Sequence, residues 1–262
     1  MKRQSLIYAV AALVVLTSCE KELDFKYHEI PALPVIEGVL TPDGASIGIT
    51  MTTPMAEPMD RTLLTDATVS LTDLTVGETV VLDVDDDGYF TGSSAGIPGH
   101  LYQLDVERGG DHYSATTQMY PDAPVRSMEF EWIKMPYDQV AVLSVRIQDN
   151  PDRDNECYWV KLYRNGKIYR WGIVDDRGAD DEGIVTYMTM TTRRDTDKED
   201  DDDVLYDGDI VTANVSMISG EMYDYLEALL NGSNGPAMFQ GAASLGYFMA
   251  TTPVTHSITF HV

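Results

Sequence analysis

The chain is 262 residues long, 44% hydrophobic and 23% charged, and 43 acidic against 18 basic side chains give it a formal net charge of −25 at pH 7. A field of that sign repels phosphate backbones and anionic headgroups, so no nucleic-acid partner is expected, while solubility and cationic or basic partners are favoured. The apolar content suffices for one large core or for two domains of about 100 to 130 residues each.

Lys2 and Arg3 precede eleven apolar residues, Leu6 to Leu16, and Leu16-Thr17-Ser18-Cys19 closes the run. A positive start, an apolar stretch and small residues ending on cysteine make a signal peptide over residues 1–18 with a lipobox. The run falls short of the about 20 apolar residues that a helix needs to cross the hydrocarbon, so no permanent span is expected there. Expected instead are transfer of a diacylglyceryl group to the Cys19 thiolate, cleavage before it, and acylation of the freed amine. Each buried CH₂ of a palmitate-class chain favours the membrane by roughly 0.8 kcal/mol, so two or three chains make a lasting anchor. Cleavage would remove Lys2 and Arg3, the only charged residues ahead of Cys19, and take the formal charge from −25 to −27. With Cys19 lipidated, Cys157 is the one remaining thiol, so no internal disulfide is expected.

Residues 19–32 are charged and then proline-punctuated, as a short tether would be. Residues 33–120 follow with a period of two: Val35 to Leu40, Ser46 to Thr52, Ala67 to Asp73, Thr79 to Val84, Leu101 to Glu107 and Tyr113 to Met119 are runs rich in Val, Ile, Thr and Tyr. Pro42-Asp43-Gly44, Asp86-Asp87-Gly88, Pro98-Gly99 and Gly109-Gly110 punctuate them. Short strands at this spacing predict an N-terminal β-sandwich. Tyr120-Pro121-Asp122-Ala123-Pro124 marks a domain boundary, because proline denies a sheet its donors.

Residues 125–262 make a second β-rich domain, so the fold class is mainly β, with two immunoglobulin-like sandwich halves. Its strands are Met128 to Met135, Val140 to Gln148, Cys157 to Tyr163, Lys167 to Ile173 and Ile210 to Met217, and Asn165-Gly166 forms a hairpin turn. One segment changes period. Ser219 is placed to cap a helix over 220–230, with Glu221 in its first turn and Met222, Leu226, Leu229 and Leu230 at helical spacing. Asn231-Gly232 ends it, and Tyr223 and Tyr225 belong to its core and rim.

Chemistry is sparse. Asp83 to Gly88 has carboxylates at positions 1, 3 and 5 of a calcium loop and glycine at 6, but position 12 is Ser94 and no helices flank it, so a hairpin turn fits better. Asp149, Asp152, Asp154 and Glu156 form a second acidic loop between strands, the weak candidate for a hard cation. Asp195 to Asp203 is a like-charge block, read as a solvated loop; as a patch for a basic partner its reach would be screened to about 8 Å. His28, His100, His112, His256 and His261 are scattered without zinc spacing. There is no GxSxG elbow, no phosphate-cradling glycine loop and no base placed beside a cysteine. No catalytic residue and no cofactor is expected.

The order of these segments resembles the Bacteroidetes outer-membrane lipoproteins grouped as domain of unknown function 4249. The residues that carry the likeness are Cys19 to Phe25, Val35 to Leu40, Asp66 to Leu71, Asp87 to Phe90, Gly99 to Leu104, Asp149 to Leu162, Tyr223 to Leu226 and Gly241 to Phe248. The last of these departs from the family's glycine-rich form at Ala242, Ala243 and Ser244. The resemblance implies a two-part β-rich lipoprotein accessory to a TonB-dependent outer-membrane nutrient transporter, through ligand binding or docking. It brings no catalytic residues and no ligand identity. Lys21-Glu22 is similar to signals that send such lipoproteins to the cell surface, with a periplasm-facing orientation left open. The alternative role is that of a structural or adhesive cell-surface lipoprotein.

Overall fold

Strand β1 (Pro34–Thr41) bears the period of two in its side chains: Ile36, Gly38 and Leu40 are buried and Glu37 between them is exposed. It pairs antiparallel with β2 (Gly44–Met51), whose Ala45, Ile47 and Ile49 are also buried. The computed structural model describes residues 31–54, 57–58, 61–150, 152–179, 182–197, 202–233 and 235–262. Cys19, the signal segment 1–18 and most of the tether 19–32 lie outside them, as do residues 198–201 of the acidic block. Among the described residues no helix is long and apolar enough to cross a membrane.

After β2 the chain forms β3 (Thr68–Asp73), β4 (Glu78–Val81), β5 (Asp83–Val84), β6 (Phe90–Gly92), β7 (Leu101–Arg108) and β8 (Asp111–Asp122). With β15 (Gln240–Gly241) and β16 (Leu245–Thr252) they make a ten-stranded sheet in the order β4-β3-β7-β8-β16-β1-β2-β6-β5, β15 pairing with β8 off this path. The sheet changes partners along β8. Asp111 to Gln118 pair antiparallel with β7, and Met119 to Asp122 run parallel to β16. The register skips Pro121, where a residue without an N–H costs no ladder bond. Ile36, Leu40, Ile47 and Ile49 share one core with Val69, Leu71, Leu104 and Val106. Gly38 marks the close approach, since a Cβ there would lie 3.0 Å from Leu104 and 3.1 Å from Phe248.

Two boundaries differ from the sequence expectation. The single strand over Thr79–Val84 is two strands, because Leu82 turns inward and its amide donates to Val69 O at 2.9 Å. The break carries the chain from its pairing with β3 to its pairing with β6. Tyr120 and Asp122, expected in a boundary, belong to β8, and only Ala123-Pro124 separate it from β9.

The second half stacks a three-stranded sheet, β13-β10-β9, on a four-stranded one, β12-β11-β14-β17. The first comprises β9 (Val125–Lys134), β10 (Gln139–Ile147) and β13 (Ile184–Thr192); the second β11 (Cys157–Arg164), β12 (Lys167–Asp175), β14 (Ile210–Ile218) and β17 (Val254–Thr259). Leu143, Val145 and Ile147 meet Val160, Leu162, Val211 and Val215 in their common core. The β11–β12 hairpin turns on Asn165 and Gly166, with φ of 48° and 83°, the left-handed pair that an Asn-Gly turn supplies at least cost. Helix α1 (Gly220–Leu230) begins where the Ser219 hydroxyl accepts from the Met222 amide at 3.0 Å.

Period-two patterning misses β13, β16 and β17. The threonine-rich β13 and β17 lack an apolar alternation, and β16 is buried along almost its whole length. Its placement corrects the expected second domain over 125–262: β16 leaves that half, inserts between β8 and β1, and returns through Pro253 to β17. Residues 32–262 form one unit. Phe248 and Ala250 of β16 point into the first core, whereas Tyr247 and Met249 join a third core with Cys157, Trp159, Ile218, Met222 and Leu226. Each large apolar side chain so buried contributes roughly 1.5–3 kcal/mol.

Candidate functional site

Two cavities adjoin where the halves meet. The larger, about 540 Å³, lies between Pro98-Gly99 with the end of β8 on one side and Arg153 to Glu156 with Met217-Ile218 on the other, and Gly220 at the start of α1 borders it. The smaller, about 320 Å³, is bounded by Pro121, Asp122 and Pro124, by Gln148 to Asn150, and by Tyr158. Pro121, Arg153 and Glu156 line both.

The loop between β10 and β11 builds this site from turn-forming residues. Asn150 Oδ1 accepts from the Asp152 amide at 3.1 Å, and Asn155 takes a φ of 62°, a left-handed conformation that asparagine tolerates. Glu156 follows it into the interior and is only 2% exposed. A carboxylate can stay there because it is partnered. Its Oε2 accepts from the Tyr158 hydroxyl at 2.8 Å, and Arg153 Nη1 stands 3.7 Å from Oε1. The Glu156 amide donates to Asp176 Oδ2 at 2.8 Å, which fixes the backbone. Burial first, then the hydrogen bond and charge of Glu156, push the Tyr158 phenol up, so it remains a donor at any ordinary pH. Arg153 also reaches Met217 Sδ at 3.8 Å, and its side chain is 44% exposed, leaving guanidinium donors available to the two cavities. The arrangement offers a ligand a cationic fork beside carboxylates.

The structure distributes the acidic candidates. Glu156 lines both cavities, Asp149 the smaller and Asp154 the larger, while Asp152 borders neither. Among the described residues no group of three or more His, Cys, Asp or Glu side chains is arranged to hold a metal ion. Asp83 to Gly88 is a hairpin turn in which Asp85 Oδ1 accepts from the Asp87 and Tyr89 amides, at 3.0 and 2.9 Å. His100, His112 and His261 each meet a different aspartate, Asp73, Asp105 and Asp207. Cys157 adjoins the site but is buried; burial, then Asp175, Asp176 and Asp224, push its thiol up to about 11, so at neutral pH it is not a thiolate.

Arg153, Tyr158, Tyr120 and Met217 were not among the site candidates that the sequence offered. They come from the loop, β11, β8 and β14, and no local motif ties them together. The available signal was the run of Asp and Asn between two strands, which locates the loop but not what it faces.

The family described as "Domain of unknown function (DUF4249)" matches this chain over residues 20–245. No curated protein matches it. Among solved structures, a two fibronectin type-III domain segment from chicken tenascin is similar at 12% identity, covering 87% of this chain and 99% of that one, with a TM-score of 0.24.

Proposed function

The chain belongs to the DUF4249 family, and we propose that it is a lipoprotein held by lipid on Cys19 in the outer membrane, non-catalytic, and accessory to a TonB-dependent nutrient transporter. The observation that carries the anchor is Leu16-Thr17-Ser18-Cys19 at the end of an eleven-residue apolar run. The accessory role is supported by the family resemblance and by a body offering cavities lined with Arg153 and Glu156, fit for binding or docking. Its surface charge keeps that body in water and favours basic partner surfaces.

Metabolic labelling with a palmitate analogue tests the anchor. Label on the wild-type chain and its loss in Cys19→Ser, together with release of the variant from sedimented envelopes, are expected. An unlabelled wild-type chain, or a variant that still sediments, overturns the reading. Pull-down from mildly solubilised outer membrane tests the partner: a TonB-dependent transporter is expected, and recovery without one removes the accessory role. Protease shaving of intact cells then decides which face of the membrane the body occupies.

A further inference from the structure

The outer edge of β4 is open. In the antiparallel run of β3 against β4 the Leu82 amide donates to Val69 O at 2.9 Å. Ladder bonds alternate along such a run, so Leu71–Val80 and Asp73–Glu78 are the bonded pairs that follow. The N–H and C=O groups of Thr79 and Val81 therefore turn away from β3, and β4 ends the sheet, with no strand among the described residues on that side. Every residue from Leu74 to Asp87 except Leu82 is exposed, Val81 at 65%. Devices that blunt an edge are missing here, since β4 holds no lysine, no proline and no register shift. By contrast β13 is blocked: Arg170 of β12 donates to its Thr189 and Met190 carbonyls at 3.0 and 3.1 Å.

The charge beside this edge has one sign. Between Arg61 and Arg108 the chain holds no Lys or Arg, whereas Glu78, Asp83, Asp85, Asp86 and Asp87 are all exposed on or next to β4 and β5. Pairing β4 with its equivalent in a second copy would set these carboxylates against one another, each copy carrying a formal −25. Like charges facing across a ladder destabilise it.

Edge and charge together select the occupant. A metal ion or polyamine answers the carboxylates but leaves the ladder groups of Thr79 and Val81 and the exposed valines in water. An acidic strand answers the ladder but meets the carboxylates. A strand that alternates cationic and aliphatic side chains answers all three, pairing its backbone, neutralising the flanks and covering Val80 and Val81. We propose that the free edge of β4 accepts an extended basic segment of a partner protein as an added strand. Main-chain bonds to Thr79 and Val81 supply affinity, and the acidic flanks select the sequence. The inference stands on this edge and its charge, and it holds whether or not the chain is lipidated or serves a transporter.

The test titrates full-length protein into three labelled peptides: one of alternating lysine and valine, the same peptide with every backbone amide N-methylated, and one of alternating glutamate and valine. Fluorescence anisotropy should show saturable binding of the first, binding of the second weakened by about tenfold or more through lost ladder bonds, and none of the third. On adding the lysine-valine peptide, hydrogen exchange should slow at the Thr79 and Val81 amides and stay unchanged at Val80, whose amide already serves Leu71. Val81→Pro removes an outward donor at a place where an edge strand tolerates proline, and should weaken binding about tenfold. Should that variant fail to fold, Val81→Lys, which sets a cation on an exposed position of the edge, decides in its place with a loss of the same size. No binding of the lysine-valine peptide, equal binding of either control, unchanged exchange at Thr79 and Val81, or unaltered affinity in the variants overturns the proposal. So does a dimer in sedimentation that Val81→Lys dissolves, since the edge would then belong to a second copy.

Discussion

At Gly246 the backbone holds a φ of 107°, and a Cβ built there would lie 1.9 Å from the Ile36 carbonyl oxygen. The contact is with β1 backbone, which cannot yield without opening the parallel pair, so Gly246→Ala is expected to cost more than about 4 kcal/mol. Urea unfolding, or absence of folded protein, reads this out; a loss below about 0.5 kcal/mol would mean that the two strands separate freely. At Glu156 the quantity at stake is an acceptor. Glu156→Ala strands the Tyr158 hydroxyl, and the expected loss is about 1–3 kcal/mol. Adding Tyr158→Phe should recover part of it, and a strictly additive double-mutant cycle would refute the coupling. Cys157 contributes to the alkaline limb, beside the raised phenols of Tyr158 and Tyr247. Its thiol keeps its proton in the folded protein up to about 11, against 9.0 as the ordinary value, so between those pH values only the unfolded chain releases a proton and stability falls as pH rises. Cys157→Ala should flatten that slope in urea midpoints measured across the range. At this scale the residue types were legible: Asp149, Asp152, Asp154 and Glu156 stood out as an acidic loop, of which Asp152 borders neither cavity. The Glu156 partner did not, because Tyr158 is an ordinary strand residue until folding sets its hydroxyl against that carboxylate, and Met217, which meets Arg153, is equally ordinary.

Helix α1 was legible because its determinants are local. Ser219 accepts from Met222 within one turn, and Met222 and Leu226 repeat at helical spacing on the buried face. Ser219→Ala should therefore cost about 1 kcal/mol, seen as a lowered urea midpoint with an unchanged slope; no change would mean that packing alone holds the helix. The Asn165-Gly166 hairpin was equally readable, since two consecutive left-handed residues are a property of that dipeptide. Strand β16 was not. Tyr247 and Met249 serve one core and Phe248 and Ala250 another, so both faces are apolar and the alternation that betrays a strand disappears. The break in the Thr79–Val84 run is hidden from the sequence for a related reason: the turn inward at Leu82 answers to Val69 across the sheet, not to its neighbours in sequence.

Across the whole molecule, the insertion of β16 into the first sheet ties the halves into one unit. Trp132, Trp159 and Trp171 are the chain's three tryptophans and all lie on strands of the second half, so their emission reports that half and its contact with β16, while hydrogen exchange of β3 and β7 amides reports the first. Because β16 serves both the first core and the third core, which it shares with β11, β14 and α1, the two probes should give one coincident urea midpoint; two separated transitions would show that the halves unfold independently. The sequence by itself determined what depends on near neighbours: the apolar run that ends at Cys19, the acidic balance, the two-residue period of most strands, the Asn-Gly turn and the cap of α1. Only the tertiary structure decided which sheet takes β16, what Glu156 faces, and that Tyr247 of β16 meets Trp159 of β11. Those contacts join residues far apart in the chain, and a local period records which face of an element is apolar, never which distant element will cover it.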